Sequence, residues 1–335
     1  MKALFIGGTG LISSACSELA IARGIELFIL NRGRSSKYPV PNGATLLVGD
    51  IHDQAAMHQL LANHQFDCVV DWVAFTPQDA QNDIELFAGK TRQFIFISSA
   101  SAYQKPPAHY LITEDTPLVN PFWDYSRNKI ACEELLMKAY REQGFPSVIV
   151  RPSHTYGPSQ IPLCYGSWQH PWTLMDRMQR GQKIIVPGDG TSLWVLTWNG
   201  DFAKGFVGLM GRETTIGHAF HITSDEVLTW DQIHKEAAHA LGIEPKIIHI
   251  PGDLIAAYDP SALGGVVGDK GNSVVFDNTK IKRWVPDYAA TVPWSEGVRR
   301  SIAWFQADPA RQTIDDEANA QWDAIIAGYE RALPS

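Results

Sequence analysis

Cysteine is scarce in this sequence. Its 335 residues include four, Cys16, Cys68, Cys132 and Cys164, none in a C-x-x-C pair. That spacing excludes a disulfide framework and the common zinc motifs and leaves reduced core thiols, with no metal site. Positive charge is in short supply as well. Against 36 Asp and Glu stand 28 Lys and Arg, a net charge of −8, so no basic field advertises nucleic acid. Apolar runs of about 18 residues are missing, which argues against a membrane span. Internal repeats and low-complexity tracts are missing too. What is left is a cytoplasmic globular protein, with the 45% hydrophobic and 19% charged residues usual for one. A chain of 335 residues fits one large or two medium domains.

The richest local signal is the first one. An apolar run, Ala3-Leu4-Phe5-Ile6, enters Gly7-Gly8-Thr9-Gly10, and a helical pattern leaves through Leu11, Ala15, Leu19 and Ala22 to Gly24. The apolar start superficially resembles a signal peptide, but the glycines and the strand–turn–helix order place it inside a fold. Strand, tight glycine turn and helix are the setting of a dinucleotide fingerprint: glycines allow a sharp turn and close approach, and helix N–H groups meet a pyrophosphate. The match is imperfect, because Ser13 stands where the last glycine is expected. Read alone, the motif also suits an ordinary strand–turn–helix of another α/β protein.

A second strand, Ile25 to Leu30, ends at Asn31-Arg32-Gly33-Arg34. An acid here, about 20 residues past the turn, would hold the ribose of NAD. The acid is missing and arginines follow, which favours NADP over NAD; the alternative is a solvated basic loop. Further strands are read at 44–50, ending in Asp50 before Ile51, at 68–74 and at 93–97, with helices at 53–64 and about 78–89 between them. Apolar strands alternating with helices predict an α/β fold with a doubly wound parallel sheet.

The strand at 93–97 ends in Ser98-Ser99-Ala100-Ser101-Ala102-Tyr103, and carboxyl ends of such strands line the ligand crevice. A Pro-rich loop then leads to a helix in which Tyr125 and Lys129 share a face. A free tyrosine, with a pKa near 10, is a poor base at neutral pH, and a neighbouring ammonium and a positive nicotinamide favour the phenolate. A lone Tyr-x-x-x-Lys is commonly an amphipathic surface pair; following a glycine turn and a strand-end Ser-Ser, it is less accidental.

Taken together, Gly7-Gly8-Thr9-Gly10, Asp50, Ser98-Ser99, Tyr125-x-x-x-Lys129, Arg151-Pro152-x-x-x-Tyr156-Gly157-Pro158, Gly188-Asp189-Gly190 and Asp201 resemble the extended short-chain dehydrogenase/reductase family, in its branch of NAD(P)-dependent sugar epimerases and dehydratases. The resemblance runs from residue 1 to about 305. It implies a Rossmann-like domain over 1–155 and a smaller substrate lobe over 156–335. Segments near 196–225 would return to the first domain, and a helix between Thr313 and Leu333 would cap the second. Ala262 to Gly268 is read as a flexible loop near the cleft. By the same resemblance Tyr125 is the acid/base, Lys129 its electrostatic partner and a ribose ligand, and Ser99 a donor to the substrate oxygen. Gly7, Thr9, Gly10, Leu11, Ile12, Asn31, Arg32, Asp50 and Ile51 would hold the cofactor with Tyr125 and Lys129. Dimerisation through helices of the Tyr125 type is usual in the family, so a homodimer is a further expectation.

The departures from the family point to the substrate. Ala100 and Ser101 stand where sugar-nucleotide dehydratases carry an acidic pair, which argues against 4,6-dehydration. His154 and Trp194 stand where an asparagine and an arginine usually meet a nucleoside diphosphate. With Ser99 and Ser101 these two are read as substrate-binding residues for a sugar-like molecule that is not a standard nucleotide-sugar. The aromatic-rich stretch 156–200, with Tyr156, Tyr165, Trp168, Trp172 and Trp198, suits stacking on sugar rings, although much of it also suits packing. The rival from another class is a non-catalytic NAD(P)- or RNA-binding protein, because Asn31-Arg32-Gly33 is similar to chloroplast relatives with RNA-associated roles.

Overall fold

The apolar runs pair into one sheet. In the computed structural model, which describes residues 1–34 and 37–334, its strands are β1 (Lys2–Ile6), β2 (Glu26–Asn31), β3 (Thr45–Val48), β4 (Cys68–Asp71), β5 (Phe94–Ile97), β6 (Ser147–Pro152) and β7 (Ala219–Ile222). All pair parallel, in the order β7-β6-β5-β4-β1-β2-β3. Strands β4 and β5 are buried along their whole length, so helices must cover both faces. Helix α1 (Ser13–Ala22) and the helix Asn199–Leu209 cover one, packing Cys16, Ala20, Phe202 and Phe206 against Phe5. Helices α2 (Gln54–Leu60), α3 (Pro77–Phe87) and α4 (Asp124–Gln143) cover the other through Met57, Ile84 and Leu136. This is the expected Rossmann-like, doubly wound α/β fold. Strand order reverses between β1 and β4, which opens a crevice above their carboxyl ends.

A second apolar core lies in the C-terminal lobe, around Trp230, Trp294, Met175 and Trp322. It also takes in Ala100, Tyr103 and Ile112, because after β5 the chain makes an excursion into the lobe before α4, and Leu111–Ile112 pairs there with Val275–Phe276. In the other direction, Ile281, Val285 and Tyr288 pack under the main sheet beside β7. The C-terminal helix Asp316–Arg331 buries Trp322, Ile325 and Ile326 against the lobe.

The segment read as a flexible loop is helical. Ala262–Gly265 runs into a π-helical turn, Val266–Lys270. Its glycines answer close packing: a Cβ on Gly264 would lie 2.4 Å from the Trp123 ring, and one on Gly268 would lie 2.7 Å from Phe122. Among the described residues no helix is long and apolar enough to cross a membrane. No group of three or more His, Cys, Asp or Glu residues there could hold a metal ion, and the four cysteines are buried thiols.

Two buried carboxyls shape the end of β4. Asp71 Oδ1 accepts from Val73 N (2.5 Å) and Ala74 N (2.7 Å), closing the turn that follows the strand. Asp83 of α3 lies against Asp71 and hydrogen-bonds it, while its Oδ2 has no partner among the described residues. Burial, then the Asp71 charge, push Asp83 well above the usual carboxylate range, so it stays protonated as the donor of the pair. A raised native pKa gives stability that is present below the unfolded value, near 3.9, and is lost as pH climbs toward the native value. Asp83→Asn keeps an N–H donor toward Asp71 and removes that loss. Thermal unfolding from pH 4 to 8 is therefore expected to show D83N with a flatter pH profile than the wild type and, at pH 7–8, a melting temperature higher by on the order of a few °C. An unchanged pH slope with a lower melting temperature contradicts the pairing.

Candidate active site

The glycine turn sits at the reversal in strand order. Gly7 and Gly8 adopt φ of +104° and +64°, and added Cβ atoms would lie 3.0 Å from Val73 and Ile29 respectively; conformation and crowding both demand glycine. Gly10 has no positive φ, and its N–H donates to Ser13 Oγ at 2.8 Å. Ser13, in place of the last glycine, thus ties the turn together, and Ser17 Oγ adds a bond to Gly8 O (2.8 Å). The N–H groups of Leu11 and Ile12 make no hydrogen bond among the described residues, and the first turn of α1 carries no acid. The helix end is open to an anion.

From this turn runs a groove of about 860 Å³, lined by Gly7, Thr9, Gly10, Asn31, Arg32, Arg34, Asp50, Ile51 and, at its far end, Tyr125 and Lys129. It brings together the residues the sequence assigned to a cofactor. Asn31 is held in place: its Nδ2 donates to Thr9 Oγ1 (3.3 Å) and its Oδ1 accepts from Gly33 N (2.7 Å). Arg32 is exposed and has no carboxylate partner among the described residues. Asp50 closes the end of β3 by accepting from His52 N (3.1 Å). A groove with free amides, a basic flank and an apolar floor suits a long anionic ligand.

Helix α4 sets three side chains one turn apart on one face: Tyr125, Lys129 and Glu133. Lys129 is 2% exposed and donates to Ala74 O (2.6 Å) and Ile97 O (2.8 Å), at the ends of β4 and β5. Its ammonium also faces the rings of Phe75 (4.6 Å) and Phe96 (4.8 Å). Burial lowers its pKa to about 8 against the pull of nearby groups, Asp71 and Glu133 among them. Glu133 pairs with Arg151 (2.6 Å) and accepts from Ser98 Oγ (2.5 Å). Arg151 in turn lies over the Tyr103 ring (4.8 Å), and Tyr103 OH meets His221 Nδ1 (3.0 Å).

One electrostatic expectation is corrected here. The sequence led us to expect Lys129 to lower the Tyr125 pKa. Instead, burial raises the phenol above its ordinary value, opposed by a hydrogen bond from Ser99. The ammonium stands 5.8 Å from the Tyr125 ring and spends two donors on backbone carbonyls, so desolvation wins. Ser99 itself is fixed by Ser101, whose N–H (3.2 Å) and hydroxyl (2.9 Å) meet its Oγ. Ser126 Oγ and Asn120 Nδ2 hold Ser101 in turn.

Beyond Tyr125 a second cavity of about 830 Å³ opens toward the lobe. Phe75, Ser99, Tyr125, Ser153, His154 and Trp168 border both cavities. Ser101 and Trp194 line the second. Trp194 lies 5.3 Å from Trp230 and edge-on to His154 (6.4 Å), with its Nε1 and His154 Nδ1 unpartnered among the described residues. Burial, aided by the Lys270 charge, holds His154 neutral, well below its ordinary pKa. Of the other aromatics singled out, Tyr165 and Trp168 line this cleft, while Tyr156, Trp172 and Trp198 are core. Sequence reasoning missed Phe75, Lys105, Asp269 and Lys270. Glu133, four residues after Lys129, was visible on the same face, but nothing in the sequence named its partner.

Comparisons agree with this geometry. A family model described as "NAD dependent epimerase/dehydratase family" matches residues 3–222. The chain is 27% identical over 261 residues to the chloroplast stem-loop binding protein of 41 kDa b of Arabidopsis thaliana, a span of 74% of this chain and 65% of that protein. It is 23% identical over 329 residues to the UDP-N-acetyl-alpha-D-glucosaminuronate decarboxylase of Bacillus cytotoxicus, covering 91% of this chain and 98% of that one. In three dimensions it is similar to the UDP-glucuronic acid 4-epimerase from Bacillus cereus in complex with NAD, with a TM-score of 0.72 at 19% identity over 92% of this chain and 99% of the other. The fold, the glycine turn and the matched span together place this chain in the NAD dependent epimerase/dehydratase family.

Proposed function

We propose that this protein is an NAD(P)-dependent oxidoreductase acting on a ring hydroxyl or ketone of a sugar-like substrate. The observation that carries the reading is the junction: Ser99 and Tyr125 border both the groove that starts at the glycine turn and the cleft that opens to the lobe. A dinucleotide fits the groove. The Leu11 and Ile12 amides, without hydrogen bonds among the described residues, would hold its pyrophosphate, Asp50 and Ile51 would take its adenine end, and Lys129 and Tyr125 its nicotinamide end. Bound there, the nicotinamide supplies or accepts the hydride. The similar Bacillus cereus epimerase, in complex with NAD, supports the assignment.

The remaining work falls to this chain's own side chains. Tyr125 moves the proton at the substrate oxygen, and Ser99 donates a hydrogen bond to the same oxygen. A phenol held above its ordinary pKa is protonated at neutral pH but is a weaker acid than a free tyrosine. The direction seen here favours neither oxidation nor reduction, and proton transfer either way gains when a nearby positive charge lowers that pKa. Lys129, anchored to Ala74 and Ile97, fixes the height of α4 and keeps a third donor for the groove. His154 and Trp194, in place of the residues that hold a diphosphate, favour a substrate other than a standard nucleotide-sugar. Ala100 and Ser101 supply no acid for 4,6-dehydration, so epimerisation and simple oxidation or reduction are the two outcomes the site allows.

Likeness to the stem-loop binding protein favours a second reading, an RNA-binding role. Against it stand the connected Ser99–Tyr125–Lys129 geometry and the net charge of −8.

Tyr125→Phe is expected to lower kcat by about 10²–10⁴ and to leave dinucleotide affinity within about twofold, measured by steady-state kinetics and calorimetry; undiminished turnover contradicts the role of Tyr125. Arg32, free of carboxylates among the described residues, is expected to prefer NADPH over NADH. Tryptophan-fluorescence titration of Arg32→Ala should show about a tenfold loss for NADPH alone, one charge-assisted bond. Equal losses for both dinucleotides reject the 2′-phosphate assignment.

A further inference from the structure

The cleft holds charged side chains that the reaction above does not use. Lys105, Asp259, Asp269 and Lys270 line it, two of each sign, with no arginine among the described lining residues. Asp259 is committed, accepting from Tyr165 OH (2.8 Å) and from Ser261 N (3.1 Å). Lys105 and Asp269 are not. Lys105 is 4% exposed, and its Nζ lies 3.2 Å from Asp269 Oδ1 and 5.6 Å from the Trp194 ring. Beyond that ion pair, its ammonium makes no hydrogen bond to any described residue. Asp269 approaches the reacting end of the cleft closely enough for its charge to bear on Tyr125.

Such a pair is a poor stabilising device. An ammonium taken out of water and given one partner recovers little of its lost hydration, and apolar residues of the same volume would do as well. The chain nevertheless builds the site with care. Gly264 and Gly268 let the 262–270 helical segment press against Trp123 and Phe122, Asn120 clamps Gly268 O (2.8 Å), and the next residue is Asp269. An ammonium and a carboxylate side by side match two neighbouring hydroxyls: the lysine donates to one oxygen and the carboxylate accepts from the other. Trp123, with its ring 5.1 Å from that of Tyr125, offers an apolar face for the ring between them. The balanced charge of the cleft gives no excess of cations for a diphosphate.

We propose that Lys105 and Asp269 form a substrate-recognition pair that grips adjacent hydroxyls of an uncharged, polyhydroxylated ring, so that the cleft takes a neutral sugar or glycoside and not a nucleoside diphosphate sugar. This rests on the reading of Ser99 and Tyr125 as the reacting end.

The test is binding to the NAD⁺-saturated full chain, followed by saturation-transfer NMR. The probes are free hexoses and pentoses, methyl glycosides, their monodeoxy analogues, and UDP-glucose. At least one neutral sugar is expected to bind. Asp269→Asn and Lys105→Met should each weaken it by about tenfold or more, with NAD⁺ affinity within about twofold. Wild type should lose a similar factor for one deoxy analogue, a loss that D269N does not compound. The analogue series needs only wild-type protein, so it stands even if a variant folds poorly. UDP-glucose binding as tightly as the best neutral sugar, no neutral sugar binding, or unchanged affinity in both variants overturns the pair. So does loss of turnover in D269N with binding intact, which would make Asp269 a proton-transfer group. A pair-dependent neutral ligand that yields neither NAD(P)H nor an epimer would sink the oxidoreductase reading and leave the pair standing. Turnover of UDP-glucose alone would do the reverse.

Discussion

The site depends on one helix being held at a fixed height above the sheet. Helix α4 touches the strand ends through a buried ammonium and a buried carboxylate one turn apart. Lys129 donates to the carbonyls of Ala74 and Ile97, and Glu133 takes up Ser98 and Arg151. Breaking either leaves a charge without partners in a dry interior, which costs far more than the bond itself contributes. Tyr125, one turn above, inherits its position from these two anchors, and Ser99 inherits its own from the strand to which both are tied. The chemistry is therefore set by where α4 sits, and α4 is set by the ends of β4, β5 and β6.

The other half of the site obeys a steric constraint. Gly7 and Gly8 allow the first loop to lie against Val73 and Ile29, and Ser13 and Ser17 lock it with side-chain bonds to Gly10 N and Gly8 O. The turn that Asp71 closes after β4 carries Val73 against Gly7, Ala74 against Lys129 and Phe75 over both Lys129 and Tyr125. One short loop thus links the groove to the reacting end of the cleft.

Much of this was legible in the sequence because it is local. Strand runs, the Gly7–Gly10 turn, Ser98-Ser99 and the Tyr125/Lys129 spacing are each written within a few residues, and the parallel order follows from their alternation. What stayed hidden depends on contacts far apart in the chain. Lys105 and Asp269 are separated by the whole of α4 and half the lobe, and neither carries a signal at short range. Asp83 carries no signal at short range, since only the packing of α3 turns it toward Asp71. The glycines at 264–268 were read as flexibility, because their reason, the rings of Phe122 and Trp123, lies elsewhere in the sequence. The Tyr125 pKa shift went the other way for a similar cause: burial is a tertiary property, and spacing on a helix does not report it.

The central claim is that a dinucleotide in the groove places its reactive end where Ser99 and Tyr125 meet the cleft. Titration calorimetry with NAD⁺, paired with mass spectrometry of any dinucleotide released on denaturing the purified protein, tests it most directly. The account predicts one dinucleotide per chain, either titrating to saturation or already held and released. No heat of binding at millimolar NAD⁺ or NADP⁺, with nothing released, would contradict it.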